Sequence, residues 1–151
     1  MPGASVTLEV DGDEELTKQV AQVPDEAQDK LEEVFKKYAM LIERDAKNNL
    51  RRNNLPGVDD GQLWNSVKHL VLDATFAVFS KLEYAIYVHE GTGKYAREGG
   101  GRQTPWVYFD EKRGQFFVTE GMPANPFLED AFNDHKGKLL SELKSLNAEF
   151  S

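Results

Sequence analysis

The sequence predicts an α+β fold, with an antiparallel sheet packed against a long N-terminal helix and a C-terminal helix. Three observations carry this. Leu31, Val34, Phe35, Tyr38, Leu41 and Ile42 recur at three- and four-residue steps and form one apolar helical stripe. Phe127, Leu128, Ala131, Phe132, His135, Leu139, Leu143 and Leu146 trace a second stripe near the C-terminus. Between them lie short runs rich in aromatic and β-branched residues, separated by turn residues, as paired strands require. Grouped strands flanked by helices, without regular strand–helix alternation, point to α+β. A length of 151 residues suits one domain covering 1–151.

The elements follow in order. Val6, Leu8 and Val10 alternate with Ser5, Thr7 and Glu9, giving a half-buried strand over Ser5–Val10. Asp11-Gly12-Asp13 is a turn that also supplies a helix N-cap, and Glu14 and Glu15 suit the positive end of the helix that follows. That helix runs to about Val23, where Pro24 interrupts it. The long helix spans about Asp25 to Arg51 and ends in Asn53, Asn54, Pro56 and Gly57. Gln62–Lys68 leads into a hairpin that turns at Asp73-Ala74-Thr75 and returns over Phe76–Leu82. Tyr84–Gly93, YAIYVHEGTG, fits a short helix or a buried turn.

Lys94–Thr104 contains three consecutive glycines, and the whole stretch 91–104 reads as a mobile Gly-rich loop able to bury little. WVYFD (106–110) and QFFVT (115–119) read as two further strands. Asn125 suits the N-cap and Pro126 the first turn of the last helix.

Composition narrows the function. The net charge is −8, which argues against general binding of nucleic acid or of an anionic membrane, since both need a basic face. An acidic wall does suit a conduit through which DNA slides, because repulsion prevents sticking. With no cysteine, disulfides, thiolate metal sites and cysteine nucleophiles are ruled out. The N-terminus has neither the basic region nor the apolar core of a secretory signal, and no run approaches the roughly 18 apolar residues of a membrane span.

No constellation points to chemistry. Gly91-Thr92-Gly93-Lys94 lacks the leading glycine of a phosphate loop and is followed by Tyr95 instead of Ser or Thr. His69, His89 and His135 stand apart, without a second histidine at ligand spacing. His89-Glu90 is the one acid/base candidate for a small enzyme, but neighbours on a helix are not expected to face each other. Asp59-Asp60 lacks calcium-loop spacing. No catalytic, metal or cofactor residue is assigned.

The ordering of motifs carries a resemblance. Gly61-Gln62-Leu63 with Ser66 precedes the hairpin; Tyr-Ala-x-Tyr-Val-x-x-Gly-Thr-Gly (84–93) and Gly-Met-Pro-Ala-x-Pro-Phe-Leu (121–128) follow. Over roughly Val6–Leu146 the chain resembles the tail-completion, or head–tail joining, proteins of long-tailed bacteriophages and prophages. The resemblance implies a structural virion protein with no cofactor and no reaction. It implies a ring, usually a hexamer, at the head-proximal end of the tail tube, assembled in the host cytoplasm. Its partners would be the tail tube protein and the neck proteins, with DNA passing through the centre. Another neck component, an adaptor or stopper, or a minor tail protein is the alternative.

Within that reading, Trp64, Lys94, Tyr95, Arg97, Arg102, Trp106 and Tyr108 are the expected subunit-interface residues. Exposed aromatics anchor such contacts, and a basic loop could meet an acidic face of the next subunit or a DNA phosphate. The competing readings are sheet core for Trp106 and Tyr108 and a solvated loop for the cations. Asp11, Asp13, Glu14 and Glu15 are candidates for an acidic lumen.

Overall fold

A computed structural model of the chain describes residues 8–9, 13–52, 60–97, 99, 101–110 and 114–151. Its frame is a pair of long helices, α2 (Gln28–Arg52) and α5 (Phe127–Glu149). Lys30 pairs with Glu149 at 2.8 Å, Lys37 with Glu142 at 2.6 Å and Asp45 with His135 at 2.5 Å. Rising numbers on one helix meet falling numbers on the other, so the two run antiparallel. Their facing stripes bury Leu31, Phe35, Tyr38 and Ile42 against Phe132, Leu139, Leu143 and Leu146. This burial is the main source of stability, at about 1.5–3 kcal/mol for each large apolar side chain.

Helix α1 (Glu14–Ala21) lies against α5. Asp13 caps it as its sequence position predicts: its Oδ1 accepts the Leu16 N–H at 2.9 Å. Pro24 ends this segment, and a single 3-10 turn, Asp25–Ala27, starts the chain into α2. Helix α3 (Asp60–Ser66) follows, where the sequence suggested only a lead-in to a strand. Leu63 within it and Val67 just past its end, four residues apart, are fully buried and anchor it. Ser66 Oγ donates to the Leu63 carbonyl at 2.6 Å and meets Ser80 Oγ at 2.7 Å, which joins this helix to the sheet.

The first sheet has the order β1-β3-β2, from β1 (Leu8–Glu9), β2 (Lys68–Leu72) and β3 (Thr75–Ser80), with both pairings antiparallel. The flanks of the expected N-terminal strand and Asp11 lie outside the described residues. The β2–β3 turn sits at Asp73-Ala74, with Leu72 opposite Thr75. Asp73 takes φ 52, a left-handed value that aspartate tolerates better than most residues. Val71, Phe76 and Val78 face the helices, and the Phe35 and Phe76 rings lie 5.1 Å apart.

Helix α4 (Ala85–Glu90) realises the short helix expected from YAIYVHEGTG. Strands β4 (Trp106–Asp110) and β5 (Gln115–Thr119) form a separate antiparallel hairpin with Trp106 opposite Thr119. The α+β class therefore holds, while the single sheet becomes two. Strand alternation predicts strands but not their partners.

Two local expectations are corrected. The N-cap of α5 is Pro126, which has no side chain to cap with. Asn125 instead clamps helices together: its Nδ2 donates to the Asn49 carbonyl at 3.4 Å, and Asn49 Nδ2 donates to the Phe127 carbonyl at 3.1 Å. His89 and Glu90 do touch, at 2.8 Å between Nδ1 and Oε1. Glu90 is the last residue of α4, so its side chain is free to turn back toward the ring.

Candidate functional site

The stretches 84–93 and 121–128 prove to be two sides of one junction. Gly91 and Gly93 are buried, at φ 79 and 61. A Cβ on Gly93 would collide with the Glu120 carbonyl, and one on Gly121 (φ 122) would collide with the Thr92 carbonyl. Only glycine permits this approach of two backbones. Hydrogen bonds then stitch the strands of the junction together. The Thr92 N–H donates to the Met122 carbonyl at 2.9 Å, and the Lys94 N–H donates to the Glu120 carbonyl at 3.2 Å. Thr92 Oγ1 accepts the Met122 N–H at 2.9 Å. The Asn125 N–H reaches the Val88 carbonyl at 2.9 Å.

His89 ties this junction to α5. The ring is buried against Phe127, and Nε2 accepts the Glu129 N–H at 3.3 Å. Glu129 is the third residue of α5, a position whose N–H has no partner within its own helix. His89 therefore supplies, from another element, the cap that Pro126 cannot. Accepting at Nε2 places the neutral ring's proton on Nδ1, where it is donated to Glu90. Both ring nitrogens are engaged in hydrogen bonds. Among the described residues, no group of three or more His, Cys, Asp or Glu could hold a metal ion.

The interface candidates fall into three settings. Lys94 pairs with Glu120 at 2.5 Å and Arg97 with Glu129 at 2.6 Å, so both cations are locked within their own chain at the base of the segment between Gly93 and Gly121 that carries β4 and β5, which we call the arm. The Glu129 carboxylate raises the pKa of Arg97 further, and Glu129 itself is held below its ordinary value by Arg97. Gly91 and Gly93 are buried, whereas Lys94, Tyr95 and Arg97 remain exposed. Trp64, on α3 and far from the arm in sequence, packs beside the end of α2, where Lys47 and Arg51 approach its ring at 4.5 and 4.6 Å from the centroid. Its Nε1 is buried with no partner among the described residues.

Arg102, Trp106 and Tyr108 belong to the arm, with Tyr95 at its base. Arg102 lies over the Trp106 ring at 5.8 Å and its Nε donates to Thr104 at 3.1 Å. Tyr108 stacks on Phe117 at 6.0 Å. The sheet-core alternative fails for Trp106 and Tyr108, since neither joins the core. Of the acidic candidates, Asp13 pairs with Lys136 and Glu15 with Lys144 at 3.4 Å, both on α5, while Glu14 is exposed.

Sequence reasoning missed the dominant surface feature, the opposite face of the arm. Val107, Phe109, Phe116 and Val118 are exposed by half or more of their surface, at 61%, 50%, 71% and 70%. The hairpin touches its own partner strand and little else. The signal was present as unbroken apolar runs in WVYFD and QFFVT, which lack the polar alternate of a strand covered on one side.

A family model described as "Bacteriophage HK97-gp10, putative tail-component" matches residues 14–91, a little over half of the chain. The chain belongs to the HK97-gp10-like family. No curated protein and no solved structure matches it. The HK97-gp10-like match covers α1 to α4 and ends at Gly91, on the threshold of the arm. The family is one of phage tail components. No helix among the described residues is long and apolar enough to cross a membrane.

Proposed function

We propose that this chain is a ring-forming tail-completion, or tail terminator, subunit at the head–tail interface of the virion. The whole of 1–151 acts as one domain, and a ring of copies, six in the resemblance above, caps the tail tube and joins it to the neck proteins. DNA passes through the centre. No cofactor is involved.

The observation that carries this reading is the arm. A chain of a tail-component family gives to solvent a hairpin whose open face is wholly apolar. Exposed apolar surface of that kind marks a contact with another protein. The net charge of −8 supports a lumen that repels passing DNA, with Glu14 the lumen candidate that remains exposed and unshared with α5.

Deleting the gene from its phage tests the proposal. A tail terminator leaves filled heads and free, over-long tails by electron microscopy. Heads that leak DNA would identify a stopper or adaptor instead, and normal particles lacking the protein would end the assembly reading. Labelled copies should sit at the head-proximal end of purified tails; a label elsewhere along the tail would identify a minor tail protein.

A further inference from the structure

Two separate apolar surfaces of the chain have no cover of their own. The first is the open face of the arm, where Val107 pairs with Val118 and Phe109 with Phe116. The two phenylalanine rings meet edge to face at 5.0 Å and leave their outer sides in water. No charged side chain stands among the four. The second is the outer side of the three-stranded sheet. Leu70 and Leu72 point away from α2 and α5 and are 55% and 62% exposed, with Ala77 and Thr75 opposite them on β3. Strand β2 is the end strand of this sheet, so its far edge has no strand partner among the described residues.

We propose that these two surfaces are the two halves of one contact between copies of this chain. The Val107–Phe109–Phe116–Val118 face of one copy seats on the Leu70–Leu72 strip of the next. This rests on the reading of the chain as a ring subunit and adds to it the residues that make the ring.

A second copy fits better than other occupants for three physical reasons. Nucleic acid requires cations, and among the described residues the open face of the arm presents only Val107, Phe109, Phe116 and Val118. A symmetric arm-to-arm dimer would cover the first surface and leave Leu70 and Leu72 in water. A heterologous contact covers both at once and repeats until the ring closes. Size sets how strong each contact is. At the ~150–250 Å² that an aromatic side chain carries, the two phenylalanines expose about 250 Å². With the two valines the face reaches about 400 Å², below the ~800 Å² per partner of a standard interface. A single such contact is weak, but in a closed ring every subunit is held twice, once by its arm and once by its strip. The hairpin itself gains too, because an isolated two-stranded hairpin is marginal in water.

The absence of cysteine from the chain makes the test clean. Purified full-length protein carrying both Val118→Cys and Leu70→Cys is oxidised and run without reductant, beside each single variant. The double variant should give a ladder of dimer, trimer and higher species, and the singles should stay monomeric. Dimers from Val118→Cys alone, with the double variant stopping at dimer, would establish the arm-to-arm contact and overturn the proposal. So would a double variant that gives no ladder.

Complementation supplies a second readout. Phe116→Glu and Leu70→Glu change exposed residues, so each should keep its melting temperature and run as a monomer on sizing. Mixed in equal amounts, at a protein concentration high enough to populate a weak single contact, they should form a dimer and nothing larger, since one sound arm then meets one sound strip. A mixture that stays monomeric, or one that assembles fully, overturns the proposal. A failed ladder from protein that still reaches tail ends removes this contact alone, while a ladder from protein absent from tails removes the tail reading alone.

Discussion

Gly93 and Gly121 face each other so closely that a Cβ on either would run into the other's Cα. That one contact makes two distant stretches of sequence into a single junction and fixes where the arm leaves the body. Gly93→Ala and Gly121→Ala should each cost roughly 2–4 kcal/mol, from a left-handed backbone combined with overpacking. Gly99 separates the two causes, since it also has positive φ, at 70, but nothing within 4 Å of its missing Cβ. Gly99→Ala should therefore cost only ~1–2 kcal/mol. Urea unfolding of the three variants checks this, and equal costs at all three positions would refute the close-contact account.

His89 acts as a cap on a helix to which it does not belong. His89→Ala removes the acceptor of the Glu129 N–H and the ring packed 5.3 Å from Phe127. A lost cap costs about 1 kcal/mol, and the cavity left by a buried ring adds to it, giving roughly 2–4 kcal/mol in all. Hydrogen exchange should rise first at the start of α5. A variant with unchanged stability that lost a measurable turnover would instead revive an acid/base role for this residue.

Much of this fold is legible in the sequence because its strongest elements are periodic. The stripes of α2 and α5, the Asp13 cap and the strand limits at 106–110 and 115–119 follow from spacing alone. Where the reading fell short, the deciding contact was non-local. Asn125 looks like a cap until Asn49, 76 residues away, is placed beside it. Lys94 and Arg97 look like a free basic patch until Glu120 and Glu129 arrive from beyond the arm. The arm's detachment from the core could not be read from strand patterns, which say nothing about which strands pair.

The fold should weaken in acid, and the sign follows from four carboxylates. Lys37 holds Glu142 below its ordinary value and Arg97 does the same for Glu129. Lys136 lowers Asp13. At Asp45 burial pushes upward, but the hydrogen bonds from Arg44 and His135 outweigh it and the net direction is down. A carboxylate lowered in the folded state contributes stability above its unfolded pKa and loses it as pH falls through the folded one. The loss therefore begins near the ordinary values of 4.5 for glutamate and 3.8 for aspartate and continues below them. Glu142→Gln should lower stability at neutral pH and flatten the acid slope, as measured by urea midpoints across that range. An unchanged slope would show that these pairs are too well solvated to matter.

Tyr38 extends the same contact to high pH. Burial first, and then its hydrogen bond to Glu142 at 2.9 Å, push the phenol up to about 12. A folded pKa above the ordinary 10.0 means that the folded state holds this proton more tightly. Its contribution is complete below the unfolded value and disappears as pH rises through the folded one. Difference spectra of Tyr38→Phe against the parent isolate this ring. A component of the parent's tyrosine titration near 12 should vanish in the variant.

The arm should be the least protected structured part of an isolated subunit. Its ladder joins two strands only, and the apolar face at 107, 109, 116 and 118 meets water. Such a hairpin opens at a small fraction of the free energy needed to unfold the core. Amides of β4 and β5 should therefore exchange well before those of α2 and α5 in the monomer and slow by at least ~10-fold on assembly, equivalent to about 1.4 kcal/mol of added protection. Arm amides equally protected in monomer and assembly would mean that the hairpin is held by its own chain and has no neighbour to wait for.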